Sequence, residues 1–383
     1  MRLTDRERRL LARAVELGRR GWGRVHPNPR VGCVVVRGDE IVGEGWHAEF
    51  GGPHAEVLAL AEAGERAEGA EVFVSLEPCC HEGKTPPCTR ALLGAGVTRV
   101  VYGAWDPGEV SGGGAEALAS AGIETVGPAL DRREARWENP FFFHARSDRP
   151  WVGLKLAMSL DARISGREGE RTPLTAEEAN EEVHRLRAGF GAILVGTRTA
   201  LIDDPLLTVR GPVVPRVPPR RIFLDPEGRI DPRARAFSTP GGEVWVVTTD
   251  ESSQAWRDGI RDRGGHVLVA PVEGDSRVHL GAVLARLVEE GVESVLCEGG
   301  GRLGTALLAG GHVDRLYLVV APRILGAEGV PAFPGGFPDV ADEAWRWRPG
   351  EAPRLLGSDV WIALEPEPAF EFPEPDIKPS GAL

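Results

Sequence analysis

EVFVSLEPCCHEGKTPPCTRALLGAG, residues 71 to 96, decides how the rest of the chain is read. Its first six residues form an apolar run rich in Val and Phe, the pattern of a buried β-strand. Its last nine, from Cys88, are small and apolar residues closing on glycine, the pattern of a helix and its stop. Between them, residues 77 to 88 crowd three cysteines, a histidine and three prolines into one turn-rich segment. A strand and a helix with sulfur at both junctions make an α/β unit whose loop is built for a metal.

Upstream, His54-Ala-Glu56 opens a second helix after Gly51-Gly-Pro53. His-x-Glu followed by Pro-Cys and a further Cys is the zinc-deaminase pattern, in which one imidazole and two thiolates hold the ion while the Glu shuttles protons. Three protein ligands leave one position open, and zinc lowers the pKa of water there to about 7. Cys79, Cys80, His81 and Cys88 compete for the remaining ligand places. Cys79 ends the strand, and Cys88 opens a helix whose free amides favour a thiolate. That pair leaves eight residues between ligands where two are usual. The alternatives are a Cys79 and Cys80 pair, or a closed structural site completed by His81. Cys33 and Cys297 lie in apolar strands and read as core.

Composition narrows the function. A chain of 383 residues exceeds one ordinary core, so two domains are expected. The formal charge of −12 argues against nucleic acid and favours small-molecule substrates. No apolar run approaches the ~18 residues that span a bilayer, and the opening MRLTDRERRLLARAVELG reads as a charged helix, so no membrane partner and a cytoplasmic location are expected. Five cysteines, three of them bunched, suit reduced thiols. Lysine is rare, at 84, 155 and 378, as is asparagine, at 28, 139 and 180, so Lys84, Lys155 and Asn28 draw notice within motif-like segments.

Helices and strands alternate through both halves, an α/β pattern. In the first, helices are expected near 4 to 20, from 55, from 88, near 114 to 121 and near 129 to 143, with strands near 31 to 37, 41 to 46, 71 to 76, 98 to 102 and 123 to 126. A polar break at 147 to 150 separates domains 1 to 146 and 150 to 365. The second domain is expected to carry strands at 151 to 156, 191 to 195, 221 to 224, 243 to 248, 265 to 269, 293 to 297 and 315 to 320, with helices near 175 to 187 and 277 to 290. Residues 211 to 220 are a proline-rich loop, and 366 to 383 a disordered tail. Glu298-Gly-Gly-Gly301 joins a strand to a helix, suited to an anion or nucleotide or simply to a tight turn.

HPNPRVGCVVV (26 to 36), IVGEGWH (41 to 47), GGPHAEVLAL (51 to 60) and EPCCHEGKTPPC (77 to 88) resemble the deaminase half of the bifunctional riboflavin-biosynthesis deaminase/reductase family. LKLAMSLDARI (154 to 164), LRAGFGAILVGTRTALIDDPLLTVR (186 to 210) and LCEGGGRLGTALL (296 to 308) resemble its NADPH-dependent reductase half. The resemblance implies a cytidine-deaminase-like α/β/α sandwich followed by a dihydrofolate-reductase-like α/β domain. It implies zinc on His54, Cys79 and Cys88 with Glu56 as proton shuttle, Asn28 at the pyrimidine, and Lys84 on the phosphate of a phosphorylated pyrimidine. It places Ala157, Thr199, Asp203 and the run Gly300, Gly301, Arg302, Leu303 and Gly304 at NADPH, and Arg187, Leu207, Arg210 and Glu298 at substrate, with Lys155 within reach. Arg187 and Arg210 suit a bidentate grip on phosphate. A homo-oligomer, a dimer or tetramer, is also expected.

Two departures stand out. Asp106-Pro107-Gly108 lacks the Asn of the family's DPNP. Arg171-Thr-Pro-Leu-Thr175 replaces a Ser-x-Trp-Ile-Thr run, leaving Thr175 as an expected helix cap and Arg171 as a substitute phosphate contact. Competing readings are a nucleotide or nucleic-acid cytidine/adenosine deaminase fused to an unrelated domain, and a non-catalytic zinc-stabilised binding protein.

Overall fold

The computed structural model describes residues 3–108, 111–144, 147–273, 277–335 and 346–367. The chain parts into two compact units between residues 145 and 146.

In the first unit the order is α1 (Asp5–Gly18), β1 (Gly32–Arg37), β2 (Glu40–Trp46), α2 (Ala55–Ala63), β3 (Glu71–Leu76), α3 (Cys88–Gly94), β4 (Arg99–Ala104), α4 (Gly114–Ser120), β5 (Glu124–Val126), α5 (Arg132–Glu138) and α6 (Pro140–His144). The expected single helix over 129 to 143 is two, because Pro140 supplies no N–H to continue the first. Thr4 and Glu7 cap α1 reciprocally, each side chain accepting the other's main-chain N–H at 3.3 and 2.7 Å.

The sheet runs β2-β1-β3-β4-β5, antiparallel from β2 to β3 and parallel beyond. Alternate side chains of its strands fill two cores. Val72, Val74 and Val100 meet Leu92 and Leu118 on one face, while Val34, Phe73 and Val101 meet Leu17 of α1 on the other. Helix α2 lies directly on the backbone of β2, and glycine makes this possible. A Cβ at Gly43 would stand 2.1 Å from the Ala59 carbonyl, and one at Gly45 2.4 Å from that of Ala55. This close seat holds the start of α2 beside the carboxyl end of β3.

The second unit comprises β6 (Trp151–Ser159), β7 (Arg163–Ser165), α7 (Glu177–Ala188), β8 (Ala192–Gly196), α8 (Thr197–Asp203), β9 (Arg220–Leu224), α9 (Arg235–Ser238), β10 (Val244–Thr248), α10 (Gln254–Asp262), β11 (His266–Val269), β12 (Val272–Glu273), β13 (Arg277–Val278), α11 (Leu280–Glu289), β14 (Ser294–Cys297), α12 (Gly301–Ala309), β15 (Arg315–Ala321), β16 (Val330–Pro331), β17 (Trp347–Pro349), β18 (Arg354–Leu356) and β19 (Asp359–Pro366). Its main sheet runs β11-β10-β9-β8-β14-β6-β15-β19-β17, parallel from β11 to β15 and antiparallel from there, with β18 also on β19.

Helices flank the parallel strands, so successive side chains face opposite cores: Ile193, Phe223 and Val246 pack with Ile260, and Leu194, Ile222 and Val247 with Leu287. The helix expected from 277 begins at Leu280, because residues 277 and 278 pair with β12 and His279 caps the helix, its Nδ1 accepting the Ala282 N–H at 3.0 Å. Ala176, not Thr175, is the N-cap of α7; its N–H donates to the buried Asp359 carboxylate at 2.7 Å. The expected tail from 366 is still strand at Pro366, and from residue 368 on it lies outside the described residues.

Candidate metal centre and reductase site

Strand β3, helix α2 and helix α3 bring His54, Cys79 and Cys88 together, their ligand atoms all within 4.8 Å of one another. His54 Nδ1 is 3.1 Å from Cys88 Sγ and 3.5 Å from Cys79 Sγ, and the Cys88 N–H points at Cys79 Sγ at 3.4 Å. His54 sits at the N-cap of α2 without capping it, which frees the imidazole for this cluster.

The donor set fits zinc. Hydrogen bonds from Cys88 and then His54 hold the Cys79 thiol well below the usual thiol range, while its hydrogen bond to Cys79, followed by burial, pushes the Cys88 thiol up. Two sulfurs and an imidazole within reach of one another are the donor set of a zinc ion, which binds cysteines as thiolates. His54 Nε2 lies 3.4 Å from Thr85 Oγ1, an outer partner of the kind that fixes a ligand imidazole's tautomer. Glu56, the second residue of α2, is 3 % exposed, and burial pushes its carboxyl above the usual range.

Cys80 and His81 are not part of this group. Cys80 Sγ donates to the Gly112 carbonyl at 3.0 Å, so neither the Cys79 and Cys80 pair nor a four-ligand knot forms among the described residues.

Around the centre, Asn28 Nδ2 meets His47 Nε2 at 3.1 Å. His47 is buried, its Nδ1 sits 3.0 Å from the Pro53 carbonyl, and its ring edge packs on His54 with centroids 5.4 Å apart. A carbonyl accepts only, so Nδ1 carries the proton and Nε2 accepts from Asn28. Sequence reasoning missed His47, since a histidine after a strand carries no local mark of its role. It missed Glu77 as well, whose buried carboxylate accepts the Asp106 and Ala115 N–H groups at 3.2 and 3.0 Å and ties the strand end to the loop after β4. In that loop Asp106 accepts from the Gly108 N–H and the Ser111 hydroxyl, both at 2.8 Å. Lys84 stands at the exposed tip of the loop between the two cysteines, its ammonium over the Phe50 ring.

In the second unit, Lys155 and Ala157 alternate on one side of β6, while Leu154 and Leu156 face the core under α12. Arg187 of α7 and Glu298, just past β14, are each about a tenth exposed and pair through both oxygens, at 2.6 and 2.7 Å. Arg187 Nη1 also donates to the Thr208 carbonyl at 2.9 Å. The arginine fork expected to face phosphate is thus engaged by Glu298. Burial pulls the Lys155 ammonium down and the nearby Glu298 charge opposes this.

Leu207 differs from its expected place. Its side chain is buried with Ile193, Val195 and Phe223 at φ +51°, which leaves only its main chain for a ligand. Arg210 is exposed, its N–H 3.1 Å from His184 Nδ1 and its guanidinium 3.1 Å from Nε2. Thr199 Oγ1 accepts the Gly300 N–H at 3.2 Å, joining α8 to the start of α12. Gly301 must be glycine because the Pro331 and Ala332 carbonyls would stand 2.7 and 2.8 Å from a Cβ. The first turn of α12, with Gly300 to Gly304, offers main-chain N–H groups that fit an anionic cofactor group. Arg171 is exposed and 3.9 Å from Asp203.

The family model for the cytidine and deoxycytidylate deaminase zinc-binding region matches residues 4–104, and that for the RibD C-terminal domain matches residues 150–350. The chain is 41 % identical to riboflavin biosynthesis protein RibD of Escherichia coli K12 over 340 residues, covering 85 % of this chain and 90 % of that one. The chain belongs to the RibD family. RibD of Aquifex aeolicus is 40 % identical, covering 82 % of this chain and 86 % of its own. Among solved structures, Acinetobacter baumannii RibD superposes with a TM-score of 0.77 at 34 % identity, covering 94 % of this chain and 99 % of that one. A Thermotoga maritima diaminohydroxyphosphoribosylaminopyrimidine deaminase/5-amino-6-(5-phosphoribosylamino)uracil reductase also gives 0.77, at 32 % identity and the same coverage.

RibD similarity over both halves makes this chain a bifunctional deaminase and reductase of riboflavin biosynthesis, with a zinc-binding deaminase region first. A deaminase joined to an unrelated domain is thereby set aside, as is a non-catalytic zinc protein. Among the described residues no helix is long and apolar enough to cross a membrane.

Proposed function

We propose that residues 1 to 146 hydrolyse the 2-amino group of 2,5-diamino-6-(5-phosphoribosylamino)pyrimidin-4(3H)-one, and that residues 150 to 365 then reduce the ribosyl chain with NADPH to give 5-amino-6-(5-phosphoribitylamino)uracil. The observation that carries this reading is the convergence of His54, Cys79 and Cys88 with Glu56 buried beside them, in a chain whose relatives span both activities.

Zinc on His54, Cys79 and Cys88 supplies Lewis acidity that makes water nucleophilic near neutral pH. Glu56 takes the proton of that water as its oxygen bonds to the ring carbon, and delivers protons to the ring and to the leaving nitrogen, which departs as ammonia. A carboxylate in a dry wall suits both directions of transfer, since burial narrows the gap between its charged and neutral forms. Asn28, oriented by His47, hydrogen-bonds the pyrimidine edge, and Lys84 meets the phosphate.

In the reductase half NADPH supplies the hydride. Ala157, Thr199, Asp203 and Gly300 to Gly304 bind it, the helix start taking a phosphate. Arg210 carries the substrate's phosphate with Arg171 nearby. The Arg187–Glu298 pair lines the ribosyl pocket as a unit, Glu298 orienting hydroxyls and Lys155 within reach of the same chain. The main chain at Leu207 completes the wall. The protein acts in the cytoplasm as a dimer or tetramer.

The test is a coupled assay on the purified zinc-loaded chain. Ammonia release from the diaminopyrimidine, followed by NADPH oxidation only once the deaminated product exists, is the expected result. Arg210→Ala should raise KM for the reductase substrate at least tenfold, as loss of a charge-assisted phosphate contact does.

A further inference from the structure

The loop of residues 80–87 has no regular structure and joins the two cysteines of the metal centre. Thr85 reaches His54, and Arg90 of α3 pairs with Glu82. A further tie crosses to the segment between β2 and α2: Lys84 Nζ stands 3.9 Å from the centroid of the Phe50 ring, and the lysine stem runs along Gly51, with Cδ 3.9 Å from where a Cβ would be. The main chain that carries the ring is held, because the Phe50 N–H donates to the Arg24 carbonyl at 3.1 Å and Arg24 pairs with Glu49 at 3.1 Å.

We propose that Phe50 is a positioning residue for the deaminase substrate: its ring seats the Lys84 ammonium at the rim of the metal centre, where it meets the substrate's phosphate. The proposal rests on the phosphate-binding reading of Lys84 given above.

Two physical points support it. A lysine at an exposed loop tip has many rotamers, and fixing one on a ring face before the anion arrives removes part of that entropy from the cost of binding. An aromatic face also holds a cation without neutralising it, whereas a carboxylate would cancel the charge the phosphate needs. Among the described residues Lys84 forms no ion pair, in a chain whose formal charge is −12. The anion therefore finds a cation that is placed but still charged.

The experiment compares Phe50→Leu, Phe50→Trp, Lys84→Met and the Leu/Met double variant as full-length zinc-loaded chains, with KM and kcat for ammonia release, zinc content and the reductase rate on deaminated product. Phe50→Leu should raise the deaminase KM about three- to tenfold with kcat held within about twofold. Phe50→Trp should restore KM, and the double variant should be no worse than Lys84→Met. Reductase rate and zinc content should not move. If Lys84→Met raises KM while Phe50→Leu does not, the ring's role is wrong and the lysine's stands. If Lys84→Met leaves KM unchanged, the phosphate reading of Lys84 fails instead. Loss of zinc or an equal fall in kcat in Phe50→Leu would make the ring a structural residue only and overturn the proposal.

Discussion

Arg187 and Glu298 meet through two parallel hydrogen bonds of 2.6 and 2.7 Å, joining helix α7 to the carboxyl end of β14. With both side chains about a tenth exposed, each is the other's solvent. Arg187→Met should therefore destabilise the second unit by about 3 to 5 kcal/mol, because it strands a buried carboxylate. Arg187→Met with Glu298→Leu should recover most of that loss in urea unfolding yet leave the reductase inactive, separating the pair's structural part from its chemical one.

The seat of α2 on β2 makes a second prediction. Gly45→Ala sets a methyl group 2.4 Å from the Ala55 carbonyl, and a helix backbone cannot yield as a side chain does. It should cost about 1 to 3 kcal/mol and weaken zinc binding by moving His54. Gly94→Ala, whose added methyl meets nothing within 4 Å, is the control and should change neither. Chelator competition and thermal unfolding read both outcomes.

Two of the three bunched cysteines, Cys88 and Cys80, separate in the same way. Cys88→Ser should lose the metal at micromolar chelator and with it ammonia release, while Cys80→Ser, whose sulfur is turned to the Gly112 carbonyl, should keep one zinc per chain.

His184 gives a pH dependence. Burial, then the Arg187 and Arg210 cations, hold its imidazole down to about 4, from an ordinary value of 6.5. Above pH 6.5 the ring is neutral in folded and unfolded chains alike and contributes nothing. Between pH 6.5 and 4 the unfolded chain takes up a proton that the folded one refuses, so stability falls as pH falls. His184→Gln should flatten this decline in the urea midpoint measured between pH 7 and pH 5; an unchanged slope would contradict it.

How much of this was legible follows from how local each signal is. His54, Glu56, Cys79 and Cys88 announce themselves because a metal site needs particular atoms at the ends of particular elements, and strand and helix patterns mark those ends. The eight-residue gap left the choice among sulfurs open until the fold turned Cys80 away. Helices α8 and α10 went unnoticed: the first is seven residues against a loop, and the second has one fully buried position, Ile260. Strands β17 to β19 hide in a segment rich in Pro and Glu, where pairing partners rather than composition decide. The engagement of Arg187 by Glu298 is a contact across 111 residues, and nothing near either residue encodes it. The buried side chain of Leu207 depends on a left-handed backbone that a leucine seldom adopts.

The central claim is that His54, Cys79 and Cys88 hold a catalytic zinc for which Glu56 moves the proton. Glu56→Gln keeps the shape of the side chain and removes its basicity. Ammonia release from the diaminopyrimidine, measured beside zinc content and NADPH oxidation on deaminated product, tests the claim most directly. The account predicts one zinc per chain, an intact reductase rate, and deamination reduced at least about a hundredfold. Deamination at the parent rate in the zinc-loaded Glu56→Gln protein would contradict it.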